Sequence, residues 1–265
     1  QRVLRLARPY LKRTDIVLAM RGDYSEGNLI KLIQHLEDKL PQRLSVSERA
    51  QVNRLNRNIT RTHRIFRPLA ENQSDTSFGI ARTYLGPDQR DPDKIPMSVL
   101  THELYDQVFQ LNRTERGLGY VHSAGLYETI GDTHPFFIGQ ADGKTLDEAI
   151  LNLQRTREGW EELLEMIRQG TLSANEFEDT KKAILRKRSL IPYRIEALAL
   201  RMVSSLVTQH RADGFELDTQ KIAQTRGQEV YRAGRKYLLE KPYVEMINSR
   251  RPCAQTLVNL GIFKE

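Results

Sequence analysis

The 265-residue sequence holds a single cysteine, Cys253. A disulfide framework and a cysteine-clustered metal site within the chain are therefore excluded. Aromatic residues supply only 7% of the chain, with one tryptophan. No apolar run approaches the roughly 20 residues needed to span a bilayer. The longest runs, such as Ile16 to Met20, have the size of core strands. The first residues, QRVLRLARPYLKRTD, lack the continuous apolar centre and small-residue cleavage site of a signal peptide. With no initiator Met either, the chain reads as a mature product or an excised piece, with any targeting segment outside it. Large blocks of one charge are missing too. The net charge is +7, but basic residues are interleaved with acids. The densest cluster, Lys181, Lys182, Arg186, Lys187 and Arg188, falls at helical spacing and reads as one solvated helix face. No platform of aromatic and basic residues accompanies it, so nucleic acid is not an expected partner.

Self-sufficient catalytic sets are absent as well. There is no nucleophile elbow, no phosphate-cradling loop and no dinucleotide fingerprint. The string THELYD, Thr101 to Asp106, begins like a helical zinc motif, but Asp106 stands where the second histidine must be. The inverted order H-x-x-E-H fails after each of the six histidines, His35, His63, His102, His122, His134 and His210. These lie far apart in sequence and read as ordinary surface or hydrogen-bonded histidines. Cys253 has no identifiable base to activate it. No metal site is expected in this chain.

What is present is a patterned globular chain with 39% hydrophobic residues, enough for a sizeable core and one or two domains. Asp15 to Met20 reads as a buried strand. Gly22 turns the chain, and Ser25 offers an N-cap to an amphipathic helix striped by Leu29, Ile30, Ile33, Leu36 and Leu40. Pro41 to Asn58 is polar and aperiodic, a linker. Thr62 to Leu69 and Thr76 to Leu85 alternate as strands, with Ile65 and Phe66 on opposite faces. The Gly86 to Pro96 stretch is a loop. A helix follows over Met97 to Asn112, then strands over Gly119 to Tyr127 and Pro135 to Gln140. Thr145 with Glu148 forms a capping box for a long helix ending at Gly170. Ser173 with Glu176 caps a second, running to Pro192. Further helices are expected over Tyr193 to His210 and Gly227 to Glu240, and a closing strand over Tyr243 to Ile247. Strands followed by a run of helices argue for an α+β fold, a mainly antiparallel sheet with helices on one face. The expected division is residues 1–40 as the end of a preceding α+β domain, 41–60 as a linker, and 61–265 as the main domain.

One constellation carries chemistry. RTERGLGY, Arg113 to Tyr120, joins a helix to a strand. Arg113 brings a fork of donors suited to carboxylate or carbonyl oxygens. Tyr120 brings a hydroxyl, and Gly117 and Gly119 permit tight turns and close backbone approach. The same residues also suit a plain helix C-terminal cap with a glycine turn.

This segment resembles the R-T-x-E-Q-L-G-Y segment in the C-terminal half of the pitrilysin/insulinase (M16) family of zinc peptidases. Arg113, Thr114, Leu118, Gly119 and Tyr120 match, whereas Arg116 and Gly117 replace the family's Glu-Gln step. The order of elements is similar over nearly the whole chain. The resemblance implies a LuxS/M16-like metallopeptidase domain in a clamshell of two homologous halves. It implies that zinc and the H-x-x-E-H motif belong to an N-terminal half outside this chain, which would be its partner. This half would then be inactive alone, help bind the peptide substrate and help close the proteolytic chamber. Arg113 and Tyr120 are the implied supporting catalytic and substrate-binding residues, reaching the peptide backbone near the zinc. A bacterial member would be periplasmic by the same resemblance. A catalytically inactive binding or scaffold module on the same fold is the alternative.

Overall fold

The computed structural model of the chain describes residues 25–39, 60–68, 74–129, 132–172, 174–191, 198, 200–205, 213–249 and 254–262. The expected strand at Asp15 to Met20, the linker at Pro41 to Asn58, the Ser173 cap, Cys253 and most of the 193–210 helix lie outside the described residues. The chain divides into two compact units, Gln1–Arg57 with Ile191–Phe215, and Asn58–Leu190 with Glu216–Glu265. In the first, helix α1 spans Glu26–Lys39. It starts at Ser25, whose carbonyl accepts from the Asn28 and Leu29 amides at 3.0 and 3.1 Å. Residues 200–205 are also helical.

The second unit is built on a five-stranded sheet of β1 (His63–Pro68), β2 (Phe78–Tyr84), β3 (His122–Glu128), β4 (Thr133–Ala141) and β5 (Tyr243–Ser249). Their spatial order is β1-β5-β2-β4-β3. Only β1 and β5 run parallel; the other pairs are antiparallel. The chain is α+β as expected, with one departure in connectivity. The segment expected to close the sheet, β5, is interior, and it separates β1 from β2, its neighbour in sequence. Alternation predicts that a segment is a strand but carries no information about which strand it pairs with.

Alternation does fix which face is buried. Phe78, Ile80, Arg82 and Tyr84 of β2 are buried, as are Glu245, Ile247 and Ser249 of β5. Helix α2 spans Lys94–Val108 and continues as a π-helical segment, Phe109–Glu115. It begins three residues earlier than the pattern predicts. Pro96 is tolerated there because the amides of a first helical turn have no intrahelical partner to lose. At its start, Asp93 accepts from Arg232 Nη2 at 3.0 Å and Lys236 Nζ at 2.7 Å. Burial works to raise the Asp93 carboxyl, but these bonds outweigh it and hold it below the ordinary range.

Helix α3 spans Leu146–Gln169 and is the central packing element. Thr145 accepts from the Glu148 amide at 3.2 Å, as the capping box predicts. The Glu148 carboxylate, however, takes the Lys144 amide at 2.7 Å and not that of the cap residue. Gly170 ends the helix at φ 72°, the left-handed cap. Its buried stripe of Leu153, Trp160, Leu163, Leu164 and Ile167 joins the sheet in one core. Each such side chain contributes about 1.5–3 kcal/mol on burial. Helix α4 (Ala174–Ser189) adds Phe177 and Ile184 to that core. Helices α5 (Gly214–Gln224) and α7 (Ala254–Asn259) were not legible in the pattern. Between them, α6 (Gly227–Gly234) runs into a second π-helical segment, Arg235–Leu239.

Glu245 puts a carboxylate inside this core with no solvent exposure. Arg82 reaches it through Nε at 3.1 Å and Nη2 at 3.0 Å, while Arg157 of α3 bonds its other oxygen. Arg64 of β1 lies 3.6 Å from that second oxygen. Arg157 also donates to the Ile262 carbonyl at 3.0 Å, which ties down the C-terminal segment. Removing one partner of a buried pair leaves the other uncompensated, at a cost of about 3–5 kcal/mol. Glu245→Gln is therefore expected to lower unfolding stability by about 3 kcal/mol or more, measured by urea denaturation; a loss under about 1 kcal/mol would contradict this account.

Candidate functional site

The chain leaves α2 by widening. Over Phe109–Glu115 the helix becomes π-helical, a distortion common at functional positions. Gly117 then turns at φ 62°, a left-handed conformation that favours glycine. Its amide bonds the Arg113 carbonyl at 3.2 Å, and the Leu118 amide bonds that of Asn112 at 3.0 Å. Leu118 is buried, and its carbonyl takes the Asp142 amide at 3.1 Å. Gly119 presses onto the end of β4 so closely that a Cβ would lie 2.0 Å from the Gln140 carbonyl oxygen. Glycine is required there by the approach of the two backbones.

This turn brings together the two residues singled out in the sequence. Arg113 Nη1 donates to the Gly119 and Tyr120 carbonyls at 3.2 and 3.0 Å. Its guanidinium lies 4.2 Å from the centre of the Tyr120 ring and 5.7 Å from that of Phe109, within cation–π range. Tyr120 is 72% exposed and precedes β3, and Phe109 is exposed as well. The pair is thus an open surface feature, a stacked guanidinium with a phenol beside it. The stack on Phe109 escaped the sequence reading; its signal was the four-residue spacing to Arg113 along one helix face.

Two residues after Tyr120, at the start of β3 and within reach of the Arg113 charge, is His122, 3% exposed. Neither of its ring nitrogens has a hydrogen-bond partner among the described residues. Burial first, and the Arg113 charge second, push its pKa from the ordinary 6.5 down to about 4, against an opposing pull from Asp142. It is therefore a neutral imidazole at physiological pH. It faces Gly139 of β4, where a Cβ would stand 3.3 Å from both His122 Nδ1 and the Trp160 ring.

The other candidates do not converge. His102 is exposed, with Nδ1 2.8 Å from the Ser98 carbonyl oxygen. Glu103 is buried and engaged by Thr180 and Gln107, so it is not available to activate water. Among the described residues, no three His, Cys, Asp or Glu side chains gather in a way that would hold a metal ion. None of the helices there is long and apolar enough to cross a membrane. A cleft of about 830 Å³ beside α3 is lined by Arg64, Arg82, Arg157, Glu161, Tyr243 and Ile262, among others. The guanidiniums of Arg64, Arg82 and Arg157 are engaged with Glu245 and, through Arg82, with Glu161 at 2.6 Å, so they serve the core, while that of Arg168 pairs with Glu165 at the surface.

With this geometry in place, residues 1–184 match the family model described as the peptidase M16 inactive domain. No curated protein matches the chain. Among solved structures, the periplasmic protease PqqL from Escherichia coli is similar with a TM-score of 0.63 at 16% identity, over 86% of this chain and 24% of that one. A peptidase M16 inactive domain from Pseudomonas fluorescens gives 0.63 at 16%, over 86% of this chain and 51% of its own. Pitrilysin gives 0.54 at 17%, over 71% of this chain and 19% of that one. At such identities the likeness shows the fold. The chain spans between a fifth and about half the length of these neighbours.

The buried histidine sets a pH dependence. Because its folded pKa is depressed, the unfolded chain takes up the proton first as pH falls. Stability should then be lost between about pH 6.5 and 4 and level off below. His122→Phe is expected to remove on the order of 3 kcal/mol of that loss, read from denaturant unfolding across this range; an unchanged slope would show that His122 does not titrate as described.

Proposed function

The chain belongs to the peptidase M16 family through its inactive domain, and from that premise we propose that it is the non-catalytic C-terminal portion of a zinc metalloendopeptidase, binding substrate and helping to close the proteolytic chamber. The observation that carries this reading is the exposed Arg113–Tyr120 pair on a turn built for it, in a chain whose described residues gather no metal-holding cluster. The partner would be an N-terminal catalytic half, in the same chain or a separate subunit, holding the zinc that activates water. Residues 1–40 would then end a preceding domain, joined through 41–60 to the domain of residues 61–265.

The roles follow from the donors. Arg113 uses Nη1 on its own loop, which fixes the guanidinium and leaves Nε and Nη2 without a hydrogen bond among the described residues. Those two nitrogens suit the carbonyl oxygens of an extended peptide. The Tyr120 hydroxyl suits the oxygen on which negative charge develops as water attacks the scissile carbonyl. A preorganised donor of this kind is worth about 10²–10³ in turnover.

A second reading, a binding module without catalytic duty, draws on the same use of Arg113 to hold its own loop. The two separate in the complete peptidase, with both halves present. Arg113→Ala and Tyr120→Phe are each expected to lower kcat/KM by about 10²-fold, with zinc content unchanged by atomic absorption. Wild-type rates in both variants would leave only the binding module.

A further inference from the structure

The turn that presents Arg113 and Tyr120 is fastened to α3 at two points. The inner one is Asn112, fully buried, with Nδ2 3.5 Å from the Thr156 carbonyl. Gly159 of α3 lies so close that a Cβ there would meet Asn112 Oδ1 at 2.1 Å. The outer one is Arg116. Its Nη2 sits 2.6 Å from both carboxylate oxygens of Glu162, and its Nη1 donates to the Arg155 carbonyl at 3.2 Å. Both acceptors belong to α3, about two turns apart.

We propose that Arg116 is a positioning residue for the site described above, clamping the 113–120 turn to α3 through Glu162 and the Arg155 carbonyl. The argument rests on geometry, not on the strength of the pair. Arg116 follows Arg113 by three residues and precedes Gly117, the residue whose left-handed backbone sets the direction of Leu118 to Tyr120. A half-exposed ion pair contributes little to global stability. Two engaged guanidinium edges nevertheless fix the position of the Arg116 Cα in a way that one contact does not. Without them, Asn112 and the seating of Leu118 and Gly119 against β4 still hold the turn, but its edge beside α3 loses an anchor, and the exposed Tyr120 ring with the guanidinium stacked on it can shift. Displacements of this size matter to a donor that must meet a developing charge, since about 1 Å of misplacement can cost 10²-fold in rate.

This proposal rests on the functional reading given above, and the experiment distinguishes the two. In the complete peptidase, Arg116→Ala, Glu162→Ala, the double variant and the charge exchange R116E/E162R are compared with Arg113→Ala and Tyr120→Phe. Each single variant is expected to lower kcat on the order of fivefold, with KM within about twofold. The double variant should be no worse than either single, and the exchange, which restores the ion pair but not the bond to the Arg155 carbonyl, should recover part of the rate. Amide hydrogen exchange at residues 117–121 should accelerate in Arg116→Ala, while the interior of α3 keeps its protection. If Arg113→Ala and Tyr120→Phe lose turnover but the Arg116 and Glu162 variants run at the wild-type rate, the positioning role is overturned and the functional reading stands. If the exchange recovers none of the rate, or if α3 loses protection together with the turn, the pair is merely structural and the proposal fails. If Arg113→Ala and Tyr120→Phe also run at the wild-type rate, the functional reading falls and the positioning role with it.

Discussion

A carboxylate sealed inside the core is the constraint on which the rest depends. Glu245 has no solvent exposure, and a buried charge of this kind persists only when its partners are held in place. Arg82 comes from the neighbouring strand, Arg157 from α3 and Arg64 from the parallel edge strand. The register β1-β5-β2 and the seating of α3 are therefore coupled through one residue. A slip of β5 by one position would turn Glu245 to the opposite face and leave three guanidiniums facing apolar neighbours. The aromatic rings around Arg82 reinforce the arrangement: its guanidinium lies 4.4 Å from the Tyr243 ring centre and 5.4 Å from that of Trp160.

The same helix then serves the surface. Along one stretch of α3, Arg157 faces Glu245, Trp160 fills the core, and Thr156, Gly159 and Glu162 seat the turn carrying Arg113 and Tyr120. The exposed pair is thus connected to the buried cluster through a rigid element rather than through a flexible loop. The π-helical widening at the end of α2 and the left-handed Gly117 set the direction of the turn, and Gly119 lets it press onto β4. His122, neutral and without hydrogen-bond partners among the described residues, lies close enough to feel the Arg113 charge. The arrangement orients groups well, and among the described residues no three potential metal ligands gather.

How much of this was legible beforehand depended on the range of the interaction. The α3 boundaries were readable because Thr145 and Gly170 act within one turn of the helix ends. The strands were readable from alternation, and Arg113 and Tyr120 from residue type within eight positions. Arg116 was legible only as a departure from a resembled pattern, because its partner Glu162 lies 46 residues away. The placement of β5 was not legible for a related reason: alternation marks it as a strand, and nothing local says that it inserts between two earlier ones. Helix α5 was missed because GFELDTQKIAQ carries too short an apolar stripe to stand out.

By itself, then, the amino-acid order determined the α+β class, the long capped helix, the lack of any self-sufficient catalytic motif, and the residues on the exposed turn. These depend on side-chain chemistry and on periods of two to four residues, which a linear reading resolves. The tertiary structure alone decided that β5 is interior, that Glu245 is the buried charge joining strands to helix, that His122 lies neutral within reach of the Arg113 charge, and that Arg116 fastens the turn to α3. Each of these is a contact between residues distant in sequence, and such contacts acquire energy only once folding has brought the two surfaces together.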